Sequence, residues 1–234
     1  ARPLRRALGA YRPVAERGAG LQAQQSGFLG AAQHGGAQVT LTSSDPSKVL
    51  LSTSATAAGS ASIQVPVANN NTAFTYYVQG VEGTTGTANV SVNAGSQFTP
   101  TSATETVVQP AADIIFLPSS LSATAANVTF LVRLGIPDAL GNSIGSEQAL
   151  RGGATTVQAT VTNSAAAVAQ LSFNGGAPTQ TGQVTVSANS ARSPNTGPGS
   201  VVFDPVAQGA TSVSVSIPGF RVIPASTFAV TVGP

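Results

Sequence analysis

Residues 38–52 read QVTLTSSDPSKVLLS, and residues 158–172 read QATVTNSAAAVAQLS. Residues 86–108 (GTANVSVNAGSQFTPTSATETVV) have a counterpart in residues 209–232 (GATSVSVSIPGFRVIPASTFAVTV), one residue longer. The offset is 120 from Gln38 to Gln158 and 123 from Gly86 to Gly209. A chain that repeats at this distance holds two copies of one domain of about 90 to 120 residues. That is the size of a whole β-sandwich, not of a solenoid turn of roughly 20 to 50 residues.

Inside each copy the period is two. Val39 and Leu41 alternate with Thr40 and Thr42; Ile63, Val65 and Val67 form the next run; Phe74, Tyr76 and Val78 alternate with Thr75 and Tyr77. Such alternation marks strands with one buried face. Ser43-Ser44-Asp45-Pro46 is turn chemistry, because Asp bonds its own backbone and Pro fixes φ. Asn69-Asn70-Asn71 and residues 80–86 punctuate in the same way. Six or seven short strands per copy predict an all-β chain of two tandem immunoglobulin-like antiparallel β-sandwiches. The boundaries expected are a basic N-terminal arm over 1–20, a first sandwich over 21–109 and a second over 113–234. A short proline-bearing linker, residues 109–112, joins them. The second copy carries an insertion, residues 137–153, and an irregular loop, residues 190–200. Its first strand is expected to include Ile114, Ile115 and Phe116.

Only 8% of the 234 residues are charged, against roughly 25% in an average domain. Ser, Thr, Asn and Gln must therefore supply most of the polar surface. There is no Cys, which removes disulfides, thiol catalysis and Cys-ligated zinc. The missing Met at position 1 is read as the result of a removed signal or propeptide. No apolar run approaches the ~20 residues of a membrane-spanning helix.

Residues 1–17 hold five arginines against the single Glu16, while the remainder has five basic and seven acidic residues. Leu4, Leu8 and Tyr11 are interleaved with Arg2, Arg5, Arg6 and Arg12. The arm reads either as a processing remnant or as a contact element for another subunit or domain. Its apolar stripe favours docking on protein over nucleic acid or membrane.

QVTLTSSDPSKVLLS, YYVQGVEGTTGTANVSV and VVFDPVAQGATSVSVSIPGF resemble the bacterial immunoglobulin-like modules that occur in tandem in large secreted and surface proteins. The resemblance spans roughly residues 30–234. It implies an extracellular or cell-surface structural role and modules without an active site. The second copy departs from the pattern at its turn, where Ser164-Ala165-Ala166 replaces Ser44-Asp45-Pro46.

Candidate chemistry is sparse. His34 is the only histidine. It lies in a glycine loop without a nucleophile-elbow context and reads as an exposed loop residue. Lys48, the only lysine, reads as a turn residue rather than half of a Lys–Asn cross-link. Asp138, Asn142 and Glu147 share one loop, but not at the spacing of a recognised calcium loop. Glu82 reads as a turn residue. No catalytic residue, cofactor or metal site is assigned, and no enzyme is expected.

The expected function is structural: an extracellular subunit or segment of a surface stalk, sheath or filament. Assembly would be by self-association or with neighbouring repeat modules, through exposed strand edges and the arm. The candidate assembly contacts are Arg2, Leu4, Arg5, Arg6, Leu8, Tyr11 and Arg12. Neither nucleic acid binding nor membrane insertion is expected. The alternative is an adhesive module that recognises glycan or protein through the loops of the second domain.

Overall fold

The computed structural model describes residues 6–7 and 16–234. The chain divides into two compact units: Ala1–Gln109 with Arg151–Ala154, and Pro110–Leu150 with Thr155–Pro234. Among the described residues the only helical element is a 3-10 turn, Pro224–Ser226.

The first unit contains β1 (Arg6–Ala7), β2 (Glu16–Gly18), β3 (Leu21–Phe28), β4 (Ala37–Ser43) and β5 (Val49–Ser52). It continues with β6 (Ser62–Val67), β7 (Ala73–Gly80), β8 (Gly86–Asn93), β9 (Phe98–Thr99) and β10 (Thr101–Val108). One sheet has the order β2-β10-β8-β4-β6. β7 pairs antiparallel with both β3 and β5 to make the other. The alternating side chains meet between these sheets. Val39, Leu41, Val90 and Val92 from one layer and Leu51, Phe74, Tyr76 and Val78 from the other belong to one buried cluster. Thr75 faces solvent between Phe74 and Tyr76, as period-two side chains on a half-buried strand must.

The second unit contains β11 (Ala111–Ile115), β12 (Ser120–Ser122), β13 (Val128–Pro137), β14 (Ile144–Glu147) and β15 (Ala149–Leu150). It continues with β16 (Val157–Asn163), β17 (Ala169–Phe173), β18 (Thr181–Val186), β19 (Val201–Pro205), β20 (Gly209–Ser216) and β21 (Thr227–Gly233). Its sheets run β11-β13-β19-β17, with β14 also on β13, and β12-β21-β20-β16-β18. Phe130, Val132, Leu171 and Phe203 of one layer and Val161, Val184, Val213 and Val230 of the other are fully or almost fully buried. The repeated segments take matching places, because β4 pairs with β6 and β8 on either side as β16 pairs with β18 and β20. Both units are immunoglobulin-like β-sandwiches.

Two boundaries differ from the sequence reading. Glu16–Gly18, placed there in the arm, is a strand that pairs in parallel with β10. Arg17 within it is fully buried, 3.5 Å from the equally buried Glu105 of β10. Its guanidinium also donates to the Glu16 carbonyl at 2.7 Å. A short edge strand with a charge at its centre does not announce itself by apolar alternation, and its paired residues on β10 lie 90 positions away. Ala111 and Ala112, read as linker, are buried residues of β11. Pro110 ends the preceding strand without interrupting the next, since it lacks an N–H but leaves the following residues free to pair.

The outer edges of the long sheets carry features that oppose pairing with another chain. β6 has Pro66 at its edge, which removes a donor. At the corresponding edge, β18, the positive-φ Gly199 lies against the backbone: an added Cβ would stand 3.3 Å from the Thr185 carbonyl.

Candidate interaction surface on the second unit

Residues 190–193 run beside β13. The Ser193 N–H donates to the Val132 carbonyl at 2.9 Å, and the Ser193 hydroxyl accepts from the Val132 N–H at 3.0 Å. The Leu134 N–H donates to the Ala191 carbonyl at 2.7 Å. These bonds place Arg192 opposite Arg133, and Arg133 opposite Asp113 of β11. Two like charges side by side are unfavourable unless each is neutralised, and each is. The Arg133 fork donates to Asp113 at 3.0 and 2.6 Å. The Arg192 fork donates to Glu147 of β14 at 2.8 and 2.7 Å. Bidentate pairs of this kind fix orientation as well as charge. The Asp113 bond raises the pKa of Arg133 above the ordinary arginine value. The Glu147 bond does the same for Arg192, against the opposing effects of desolvation and then of the Arg133 charge.

Phe116 completes this surface. It was expected inside the first strand of the second copy; instead it follows the end of β11, at φ 67°. A bulky side chain in the left-handed region is an outlier. The kink ends β11 before the chain enters β12 of the opposite sheet. The ring is 65% exposed, and the Arg192 guanidinium carbon lies 5.9 Å from its centroid, within cation–π range. Next to Arg192 is an open depression of about 330 Å³, lined by Leu131, Ser187, Ser190, Pro194 and Asn195 among others. Sequence reading singled out the 190–200 loop but not Phe116, Arg133 or Asp113. The one available signal, an aromatic at the end of an apolar run just before Leu117-Pro118, does not reveal which way the ring turns.

The residues weighed from sequence fall elsewhere. Arg2, Leu4, Arg5, Leu8, Tyr11 and Arg12 lie outside the described residues. Arg6 belongs to β1, whose backbone pairs in parallel with Phe98–Thr99. His34, expected to be exposed, is buried. Its Nδ1 accepts the Gly36 N–H at 3.1 Å, so Nε2 carries the proton and donates to the Asn71 carbonyl at 2.9 Å. It ties its loop to the Asn69–Asn71 turn, with its ring edge-on to Phe98. Lys48 donates to Asp45 at 2.6 Å within its turn. Glu82 receives the Arg151 fork at 2.7 and 2.8 Å, and the following Gly152 N–H donates to Gln22 Oε1 at 3.0 Å.

Asp138 organises its own loop. Its Oδ1 accepts the N–H groups of Leu140 and Asn142, and its Oδ2 accepts the N–H and hydroxyl of Ser143. These bonds, the Ser143 hydroxyl first, hold its pKa below the ordinary aspartate value. Asp138 and Glu147, which sequence placed in one loop, thus serve different partners. Among the described residues no three His, Asp or Glu side chains cluster as metal ligands.

No family model matches the sequence, and no curated protein matches it. Solved structures do. The D0–D1 domains of intimin align over 96% of this chain and 96% of that one, at 13% identity and a TM-score of 0.29. Domains 1–6 of the surface layer protein SbsC align over 84% of this chain and 20% of that one, at 19% identity and a TM-score of 0.30. The type II cohesin dyad of the ScaA scaffoldin of Acetivibrio cellulolyticus aligns over 97% and 98%, at 9% identity and a TM-score of 0.28. These are likenesses of β-sandwich architecture, and the assignment of the fold rests on the strand pairings themselves.

Proposed function

We propose that this chain is an extracellular structural segment of a surface stalk or sheath, built from tandem sandwiches. The observation that carries this reading is the use made of its charges. Glu105, Asp45, Asp113, Glu82 and Glu147 each face an arginine or lysine, Asp138 holds its own loop, and His34 ties two turns together. Side chains committed in this way fix a scaffold, whereas a nucleophile–base pair needs groups poised toward a substrate. Pro66 and the Gly199 loop favour a covalent series of modules over edge-to-edge strand addition. An assembly through the N-terminal arm, with Arg2, Leu4, Arg5, Arg6, Leu8, Tyr11 and Arg12 as its contacts, remains a separate proposal. Two measurements test the reading. An antibody raised against the 190–200 loop is expected to label intact cells of the source organism, and labelling only after permeabilisation would sink an extracellular role. Stretched singly, the chain is expected to unfold in two discrete force peaks; gradual extension without peaks would remove the stalk.

A second reading, adhesion through the loops of the second unit, is favoured by one observation: the exposed Phe116 ring held against Arg192.

A further inference from the structure

At the Phe116–Arg192 surface a strained backbone, an exposed aromatic and a pocket beside Arg192 come together. The strain has a partial structural explanation, since the chain must end β11 there. It does not explain the side chain. A glycine adopts φ 67° without penalty, whereas phenylalanine in that conformation is strained and leaves most of its ring in water. An outlier that the fold does not require points to a use.

The use follows from the surroundings. Arg133 and Arg192 are each neutralised by a carboxylate, so the surface has no net charge to attract a polyanion, and nucleic acid and acidic polymers are disfavoured. A protein interface has an apolar core and buries about 800 Å² on each partner. Here a single ring stands near a pocket of only about 330 Å³, in which Leu131 and Pro194 accompany hydroxyl, amide and guanidinium groups. A neutral sugar matches that mixture. One face of a pyranose is a plate of C–H groups that lies on an aromatic ring, and its edge is a row of hydroxyls that both donate and accept. Ser187 and Asn195 offer both roles beside Arg192, while the Ser190 hydroxyl shapes the loop by donating to the Arg192 carbonyl at 2.7 Å and accepting its N–H at 3.2 Å. The Glu147 clamp holds the Arg192 side chain in place before any ligand arrives, which lowers the entropy lost on binding.

We propose that this surface is a carbohydrate-binding site for a neutral glycan. One sugar stacks on Phe116, and its neighbour enters the depression beside Arg192, Ser190 and Asn195. The proposal rests on the adhesive reading and names its ligand class; a stalk without adhesion is compatible with its failure.

The test uses the whole chain against an array of neutral and acidic glycans, and in affinity electrophoresis against dextran, xylan and galactomannan. Binding to at least one neutral glycan is expected. Phe116→Gly is expected to weaken it by roughly tenfold or more, the scale of a lost anchor side chain, while the melting temperature stays level or rises. This opposition of signs separates a binding role from a structural one. Arg192→Gln, which keeps length and polarity but loses the fork, is expected to weaken binding as well. No binding across the neutral panel overturns the proposal, as does binding that Phe116→Gly leaves intact, or a melting temperature that falls in proportion to the loss. On intact cells, binding that resists periodate but disappears on protease treatment assigns the surface to a protein partner and also overturns it.

Discussion

In the first unit the turn between β4 and β5 returns the N–H groups of Lys48 and Val49 to the Asp45 carbonyl, at 3.1 and 3.0 Å. In the second, the N–H groups of Val168 and Ala169 return to the Ala165 carbonyl at 3.0 and 3.1 Å. Ser44 and Ser164 each bond the facing strand, accepting from the N–H groups of Asn89 and Ser212 at 2.8 and 2.9 Å. The backbone is the same, but its support is not. The first turn is held from outside: Asp45 accepts from Ser47 and Lys48 in partly exposed positions. The second is held from inside. The buried Asn163 amide donates to the Ala165 and Ala169 carbonyls, and its oxygen accepts from the Thr211 hydroxyl. Ser43 and Ala88 stand at the corresponding places in the first unit. A turn needs its polar groups satisfied, and either charges at the surface or an amide in the core will do so. The two solutions differ in what each contributes to stability, because a bond in a dry interior is expensive to break.

A second contrast appears at the strand that lies parallel on the last strand of each sandwich. β2 is anchored by the buried Arg17–Glu105 pair, whereas β12 (Ser120–Ser122) lies in parallel on β21 with no charged residue. The largest expected effect is there. Arg17→Leu removes a buried cation from beside Glu105 and is expected to lower the stability of the first unit by about 3–5 kcal/mol. The double change Arg17→Leu with Glu105→Leu is expected to recover most of that. Calorimetry reads both, as a shift of one transition with the other unmoved. A single-variant loss below about 1 kcal/mol would mean that β2 is not anchored by charge.

Next in size is the buried turn. Asn163→Ala removes two donated bonds and the acceptor of the Thr211 hydroxyl, which keeps only its 3.2 Å contacts to the Ser164 hydroxyl and the Ala165 N–H, with an expected loss of about 2–3 kcal/mol in the second unit. Ser43→Ala, the matched change, removes only a 3.3 Å contact from the Asp45 N–H and is expected to shift the first unit by less than about 1 kcal/mol. Denaturant unfolding of the pair measures the contrast directly, and equal losses would erase it.

Smaller still is Lys48→Ala, for which an exposed pair predicts no more than about 0.5 kcal/mol; chemical denaturation in low and high salt should differ little. The least effect is that of acid. Asp45 has its pKa lowered chiefly by the Lys48 bond and then by Ser47, and Asp138 chiefly by Ser143. A depressed carboxyl contributes stability above its unfolded-state pKa, and the contribution is lost as pH falls through the folded value. Carbon NMR titration should place both groups below the ordinary aspartate range. Ordinary values would show that these turn contacts do not persist in solution.

Legibility in the sequence was uneven. Phe74, Tyr76 and Val78 were readable as one buried face, and QVTLTSSDPSKVLLS as strand, turn and strand, because period and turn chemistry are local. His34 was not readable as buried, since the Asn71 carbonyl that accepts its Nε2–H hydrogen bond arrives from another turn. Phe116 was not readable as exposed, because an apolar run does not say where the chain will kink. Glu82 has the form of a turn residue, and only folding brings Arg151 to it.

By itself the sequence determined that this chain is all β, that its sandwich is built twice, and that its polar surface is made of hydroxyls and amides. Those properties follow from alternation, repetition and composition, each contained within a few residues or in the whole. The tertiary structure decided which rare charges meet, which loop histidine is enclosed, and that one strained aromatic is presented to solvent beside a clamped arginine. Such matters depend on which distant segments share a sheet, and strand pairing across 90 positions leaves no mark on the local pattern of either partner.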